Sequence, residues 1–367
     1  MATRVAVIGA GVVGLATAWA LERLGYACLV FEQGAPGGGQ SAGESRIFRH
    51  AHDDPRQFEL AVLSRRGWRE WEQEFGVRLI TDDGAMVIGD EGVARLSRYA
   101  DDPDSEVREL SRIEVREALP ILADFDGPAL IDDAAGAIRS GLTIANLIAA
   151  AGLNLVPEKV ESVTPREGGG VNVLSNFGPR VFDAAVVAAG TGTARLAGSA
   201  GIEIPSSPQA HMRLTLPLSS RSPLPARLAC LQDSSGAFGE AAAYGSPVDG
   251  NAGYAVGLAL SAEIDPAGDS GQLGELTRRT SAYVERAMPG LEMSGAVSFQ
   301  RWITELPWAS DGLAIWQAGD AYFIAGHNLF KLAPALGTVL AGSVDAGSVE
   351  AGFRPEDRLG EAIFDSG

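Results

Sequence analysis

Cysteine, lysine and histidine are scarce in this chain of 367 residues, which has two, two and four of them. Cys28 and Cys230 both stand in apolar surroundings. That excludes a disulfide framework, fits a reducing cytoplasm and points to buried packing for both. No metal is expected. Basic residues are also in short supply: 29 Lys and Arg face 47 Asp and Glu, a net charge of −18. Nucleic acid and anionic membrane surfaces need a basic face and are excluded as partners. A small anionic substrate stays open, provided a local cationic site overrides the global field. No uninterrupted apolar run approaches bilayer length. Met1 to Arg4 lead straight into an apolar strand, with no room for a leader.

Glycine, by contrast, is abundant, with 46 residues clustered in loops beside apolar runs. This suits a backbone that must approach a ligand closely. The length exceeds what one core usually serves, so two domains are expected. Val5 to Ile8 is an apolar strand, Leu15 to Leu24 an apolar helix stopped by Gly25, and Ala27 to Phe31 a second strand. Together they form a βαβ unit. Leu60, Leu63, Trp71 and Phe75 recur at helical spacing over Glu59 to Phe75, and Trp68 and Trp71 are expected in the core. Asp101 to Glu117 reads as solvated helices, and Leu142 to Leu153 as an apolar helix. Val160–Val163, Val171–Leu174 and Arg180–Ala189 read as strands. Pro208, Pro217, Pro223 and Pro225 forbid a long helix over Ser206 to Leu231. The alternation of Met212, Leu214 and Leu216 indicates a strand with one exposed face. Tyr254–Leu260 and Ala321–Ala325 read as strands, Leu276–Met288 and Ala333–Ala341 as helices. Dinucleotide-type pieces thus lie at the beginning, middle and end, with antiparallel-looking material between. The fold class is α/β, or α+β overall, with interleaved domains.

Gly9-x-Gly11-x-x-Gly14 sits between the first strand and its helix. Gly9 permits the turn, Gly11 lets the backbone approach a diphosphate, and Gly14 lets helix and sheet pack closely. The free N–H groups and dipole of the helix start, at Val12 and Val13, favour that anion. Glu32, 23 residues after Gly9, can accept from an adenosine ribose. The acid favours FAD or NAD over NADP.

Directly downstream lies Ser41-Ala42-Gly43-Glu44-Ser45-Arg46-Ile47-Phe48-Arg49-His50-Ala51-His52. With the fingerprint, it resembles the D-amino-acid oxidase superfamily, and more closely its branch of monomeric sarcosine and N-methyl-amino-acid oxidases. Gly326-His327-Asn328-Leu329-Phe330-Lys331 resembles that branch's Gly-His-Gly-Phe-Lys loop with one extra residue. Ala184 to Gly190 and Tyr244-Gly245-Ser246-Pro247 resemble its mid-chain and substrate-domain segments. The resemblance implies FAD and a small amine or amino-acid substrate. It implies a monomer, and a Rossmann-like FAD domain interleaved with a mixed-sheet substrate domain. The expected division is 1–83, 138–208 and 302–367 for FAD, with 84–137 and 209–301 for substrate. It further implies cofactor contacts from Phe31, Ser41, Ser45, Val160, Gly190, Thr191, Gly326, Leu329 and Phe330. Arg46 would lie near the flavin ring. Arg49 and Lys331 would hold a substrate carboxylate, a task that suits the planar fork of arginine. Spacing alone leaves the two arginines undecided, since they share a face on a helix and oppose on a strand. The helix after Lys331 would place N–H groups at the flavin's N1–C2=O edge.

Three departures stand out. The segment Arg301 to Pro307 lacks the cysteine that often tethers FAD, so non-covalent binding is expected. Ala42 replaces a histidine, which leaves His50 or His327 to supply an imidazole. The strand Ala252–Leu258 lacks the lysine usual over the flavin, which opens the way to an acceptor other than oxygen. The leading reading is oxidation of a C–N bond in an amine bearing a carboxylate, with Arg49, Lys331, Arg46, Tyr244 and His327 in the catalytic region. A tailoring dehydrogenase or desaturase with another acceptor is the second. An NAD-dependent enzyme or a non-redox nucleotide module is the third, marked by a colourless protein.

Overall fold

A computed structural model describes residues 3–150, 154–219, 224–263 and 271–362. Residues 151–153 at the expected end of the Leu142–Leu153 helix, and Pro223, lie outside them. The strands Ala321–Gly326, Ala184–Val187, Arg4–Ile8, Ala27–Phe31 and Asn154–Val156 lie side by side in one parallel sheet. Leu313–Ala318 is its antiparallel edge. Val5, Val7 and Ile8 are buried, as expected of a parallel strand covered on both faces. The helix Val12–Arg23 covers one face. The helix Ala333–Ala346 packs against that helix, and Pro55–Phe75 packs on Ala333–Ala346 in turn. A small antiparallel sheet of Val160–Pro165, Val171–Ser175 and Gly178–Phe182 lies on the other face.

Glycine sets how closely these layers approach. A Cβ on Gly14 would lie 2.0 Å from the Gly9 carbonyl oxygen, and one on Gly337 would lie 2.7 Å from the Ala16 backbone. The second sheet joins eight strands in the order Ala262–Glu263, Ser207–Pro217, Gly253–Leu258, Ala243–Pro247, Cys230–Asp233, Ala85–Ile88, Ala129–Asp132 and Val107–Glu109. Val297–Glu305 pairs with Ser207–Pro217 beside that path. The short ribbon Ser45–Phe48 with Gly136–Arg139 stands apart from both sheets.

Several expectations need correction. The acidic stretch 101–117 holds one helix, Arg112–Ala118, and the edge strand Val107–Glu109. Arg180 to Ala189 is two strands, divided at Asp183, in two different sheets. Leu63 is exposed, whereas Trp68 and Trp71 are fully buried as expected. Around Met212, Leu214 and Leu216 the other face is not exposed: His211 and Arg213 are buried there. Leu329–Ala346 is long and apolar enough to cross a bilayer, and 61% of it is buried inside the protein as a core element. Lys331 interrupts it, which hid it from a search for unbroken apolar runs.

The helix contact yields a paired test. Gly337→Val should destabilise by about 1–3 kcal/mol or more, because the Ala16 backbone cannot retreat. Gly342, exposed on the same helix with nothing near its Cβ position, should stabilise as Gly342→Ala by about 0.5–1 kcal/mol. Urea denaturation of both variants measures the contrast.

Candidate active site

The fingerprint, the 41–52 segment, the large sheet and the 326–331 loop enclose one cavity of about 860 Å³. Gly9, Gly11, Val12, Val13, Phe31 and Glu32 line it from the parallel sheet. Val160, Gly190 and Thr191 add the mid-chain wall, and Ser41, Arg46 and Arg49 the downstream segment. Gly326, His327, Leu329, Phe330 and Lys331 come from the C-terminal loop, and Tyr244 from the large sheet. Two expected residues do not line it. Gly14 lies behind, packed on Gly9, and Ser45 is buried beneath, its hydroxyl 2.9 Å from that of Ser246.

The nucleotide end is built from backbone donors. Gly11 caps the helix Val12–Arg23 without a side-chain bond of its own. The Val12 N–H donates instead to Ser41 Oγ at 3.0 Å. Glu32 ends its strand with Oε2 accepting from Ala10 N–H at 2.9 Å and Oε1 from Gly34 N–H at 2.8 Å. A Cβ on Gly11 would meet only the Ser41 hydroxyl, at 3.2 Å, so that flank is open to the cavity. A glycine with cavity on one side, a helix start and a strand-end acid are the parts a dinucleotide diphosphate and ribose require. The volume also suits a cofactor with a small molecule beside it. The residues present therefore fit FAD.

At the other side lies a charge cluster that the sequence did not reveal. Asp311 Oδ2 accepts from Arg49 Nη2 at 2.7 Å and stands 3.7 Å from Lys331 Nζ. Both cations expected to be available are thus already paired. Asn328, in the left-handed region at φ 55°, donates to Asp311 Oδ1. Gln57 Nε2 holds the Asp311 backbone carbonyl at 2.7 Å. Lys331 is fixed from behind, its carbonyl accepting from Trp68 Nε1 at 2.8 Å and Ser64 Oγ at 3.0 Å. Burial pushes the Asp311 carboxyl up, but the charges of Lys331 and Arg49 outweigh it and hold it well below the usual range. Burial lowers Lys331 to about 8, opposed by Asp311 and assisted by Arg49.

Arg46 lies within the strand Ser45–Phe48 and Arg49 just past its end, so alternation along the strand does not separate them. Arg46 donates to the carbonyls of Ala42 and Ser45 and lies 5.7 Å from the centre of the Phe330 ring. His50 is fully buried, with Nδ1 2.7 Å from Asp132, between Phe48 and Phe58. It does not line the cavity. His327 does; its Nδ1–H donates to the Ser310 carbonyl at 3.1 Å, and its ring meets that of His211 edge-on at 5.0 Å. His52 is buried, and burial together with Arg49 and Lys331 holds it well below its ordinary pKa, hence neutral.

The strand Gly253–Leu258 carries no lysine, as expected, while Arg213 on the adjacent strand, paired with Gly257, lines the cavity. A charged residue between buried Met212 and Leu214 was the available signal. Cys28 and Cys230 are buried and free, and neither lines the cavity, so no thiol is positioned to tether a ligand there.

The Lys331 shift has a pH consequence. Unfolded, a lysine keeps its proton up to about 10.5, while folded Lys331 loses it near 8. The unfolded chain binds more protons between these values, so this group makes stability rise with pH there. Denaturation at pH 7.5 and 9.5 should show wild type gaining on Lys331→Met. Parallel pH dependence of the two would refute the assignment.

Residues 4–342 match the model of the FAD dependent oxidoreductase family, DAO. No curated protein matches the chain by sequence. Among solved structures, the open form of NikD, an unusual amino acid oxidase essential for nikkomycin biosynthesis, superposes with a TM-score of 0.79. It is 20% identical, over 95% of each chain. L-proline dehydrogenase from P. horikoshii gives 0.78 at 20% identity over 95% of each. Iminodiacetate oxidase from Chelativorans sp. BNC1 gives 0.75 at 21%, over 96% of this chain and 99% of that one. With the match running through fingerprint, charge cluster and C-terminal helix alike, the chain belongs to the FAD dependent oxidoreductase family.

Proposed function

We propose that this protein oxidises the C–N bond of an amine, amino acid or imino acid that bears a carboxylate. The observation that carries this reading is the meeting, in one cavity, of a dinucleotide cradle with half-buried Arg49 and buried Lys331 and Arg213. In a chain of net charge −18, such a local excess of cations fits an anionic substrate. Three of the similar structures carry amino-acid or imino-acid names, which supports the same substrate class.

When bound, FAD would supply the redox chemistry, the acceptance of a hydride equivalent from the carbon beside nitrogen. In this reading Gly9, Gly11, Val12, Val13 and Ser41 hold the diphosphate, and Glu32 the ribose. Phe31, Val160, Gly190 and Thr191 flank the cofactor, with Arg46, Gly326, Leu329 and Phe330 beside the ring. The Arg49–Asp311–Lys331 cluster keeps a positive field where the substrate enters. His327, with its proton on Nδ1, supplies an imidazole in the cavity wall. Tyr244 shapes the substrate wall. The FAD domain is 1–83, 138–208 and 302–367, and the substrate domain 84–137 and 209–301. The protein acts in the cytoplasm as a monomer. The strand Gly253–Leu258 carries no lysine, so a dehydrogenase with an acceptor other than oxygen is the second reading.

Anaerobic titration with a panel of amino and imino acids should bleach the flavin with at least one of them. Its decarboxylated analogue should bind more weakly by about 2–5 kcal/mol, the scale for an unpaired buried charge. Equal bleaching with and without the carboxylate would remove the anionic-substrate reading. Oxygen uptake compared with dye reduction identifies the acceptor.

Attachment is tested separately. Acid precipitation should release all yellow colour into the supernatant, since no thiol lines the cavity. Gly11→Val should fold with an unchanged circular dichroism spectrum but purify colourless, because its side chain occupies the diphosphate path. Colour remaining with the precipitated chain, or a yellow Gly11→Val, contradicts these expectations.

A further inference from the structure

Arg213 is 7% exposed, and among the described residues it forms no ion pair. Its Nη1 donates to the Ser45 carbonyl at 2.9 Å and its Nη2 to Ser246 Oγ at 2.8 Å. The Nε–H is buried without an acceptor, so among the described residues three of its five donors have no acceptor, and the residue lines the cavity. A buried cation without a counter-charge is costly, and an anion entering the cavity relieves that cost. The geometry beside it favours the same ligand. Arg46 Nη1 donates to the same Ser45 oxygen at 2.7 Å, which brings a second guanidinium alongside. The Ser45–Ser246 hydroxyl bond positions the Ser246 acceptor, and the Tyr244 ring lies 5.5 Å from the Arg213 guanidinium carbon. Arg49 and Lys331, in contrast, converge on Asp311 Oδ2.

We propose that Arg213 receives the substrate carboxylate, and that Asp311 withholds Arg49 and Lys331 from that task. The assignment rests on the carboxylate-bearing substrate proposed above and names the residue that selects it. A planar fork with free donors binds a carboxylate in two places. The paired Arg49 and Lys331 would have to give up Asp311 first.

Acetate and its neutral counterpart acetamide test this, titrated into the FAD-loaded protein while the flavin spectrum is followed. Wild type should bind acetate at least 10-fold more tightly than acetamide. Arg213→Met should lower acetate affinity by 30-fold or more, leaving acetamide affinity unchanged. Arg213→Lys keeps the charge but not the fork; it should lower acetate affinity 3- to 10-fold, and it serves if Arg213→Met does not retain FAD. Adding Asp311→Asn to Arg213→Met should restore part of the lost affinity by releasing Arg49 and Lys331. Undiminished acetate affinity in both Arg213 variants overturns the assignment, as does a change confined to the flavin reduction potential. Failure of acetate to bind wild type refutes instead the carboxylate reading on which the assignment stands.

Discussion

A single carboxylate organises the charged half of this molecule. Asp311 lies between Arg49 and Lys331, and without it two like charges would share a desolvated corner at prohibitive cost. Its own position is held by Gln57 from one helix and Asn328 from the C-terminal loop. Lys331 is held by Trp68 and Ser64 of the helix that also supplies Gln57. The helix Pro55–Phe75 is therefore more than a cover for the core. Its buried face carries the donors that fix one carbonyl behind each member of the ion pair.

The nucleotide half was legible because its chemistry is local. Gly9, Gly11, Gly14 and Glu32 lie within one βαβ unit, where strand, turn and helix follow from apolar runs and glycine spacing. The family resemblance added Arg46, Arg49 and Lys331, and the cavity brings them together. Asp311 was not legible. It meets Arg49 across 262 residues, and nothing in its neighbourhood distinguishes it from a surface acid. Arg213 was legible in principle. The alternation through Met212, Leu214 and Leu216 was read as a strand with one wet face, whereas that face is dry and lines the cavity. A period of two reports which residues share a side, and does not report what that side faces.

Secondary structure failed where charge was taken as a guide to it. The strand Val107–Glu109 sits at a sheet edge, where alternate side chains reach water and a charged composition is tolerated. The split at Asp183 has a similar origin. A short strand entering the parallel sheet and one leaving the small sheet abut in sequence, and their combined apolar run reads as one. Scarcity of lysine had the opposite effect, because it made Lys331 conspicuous and drew attention to the right loop.

The contact between Gly337 and the Ala16 backbone ties together two helices whose starts serve different parts of the cavity. Val12–Arg23 begins at the fingerprint, and Ala333–Ala346 begins just after Lys331. Clamped at so close a crossing, they behave as one rigid bracket, with the spacing of their N-terminal ends set before any ligand arrives. A long, many-jointed cofactor thus meets a receptor of fixed span, and the ordering entropy falls on the small molecule alone.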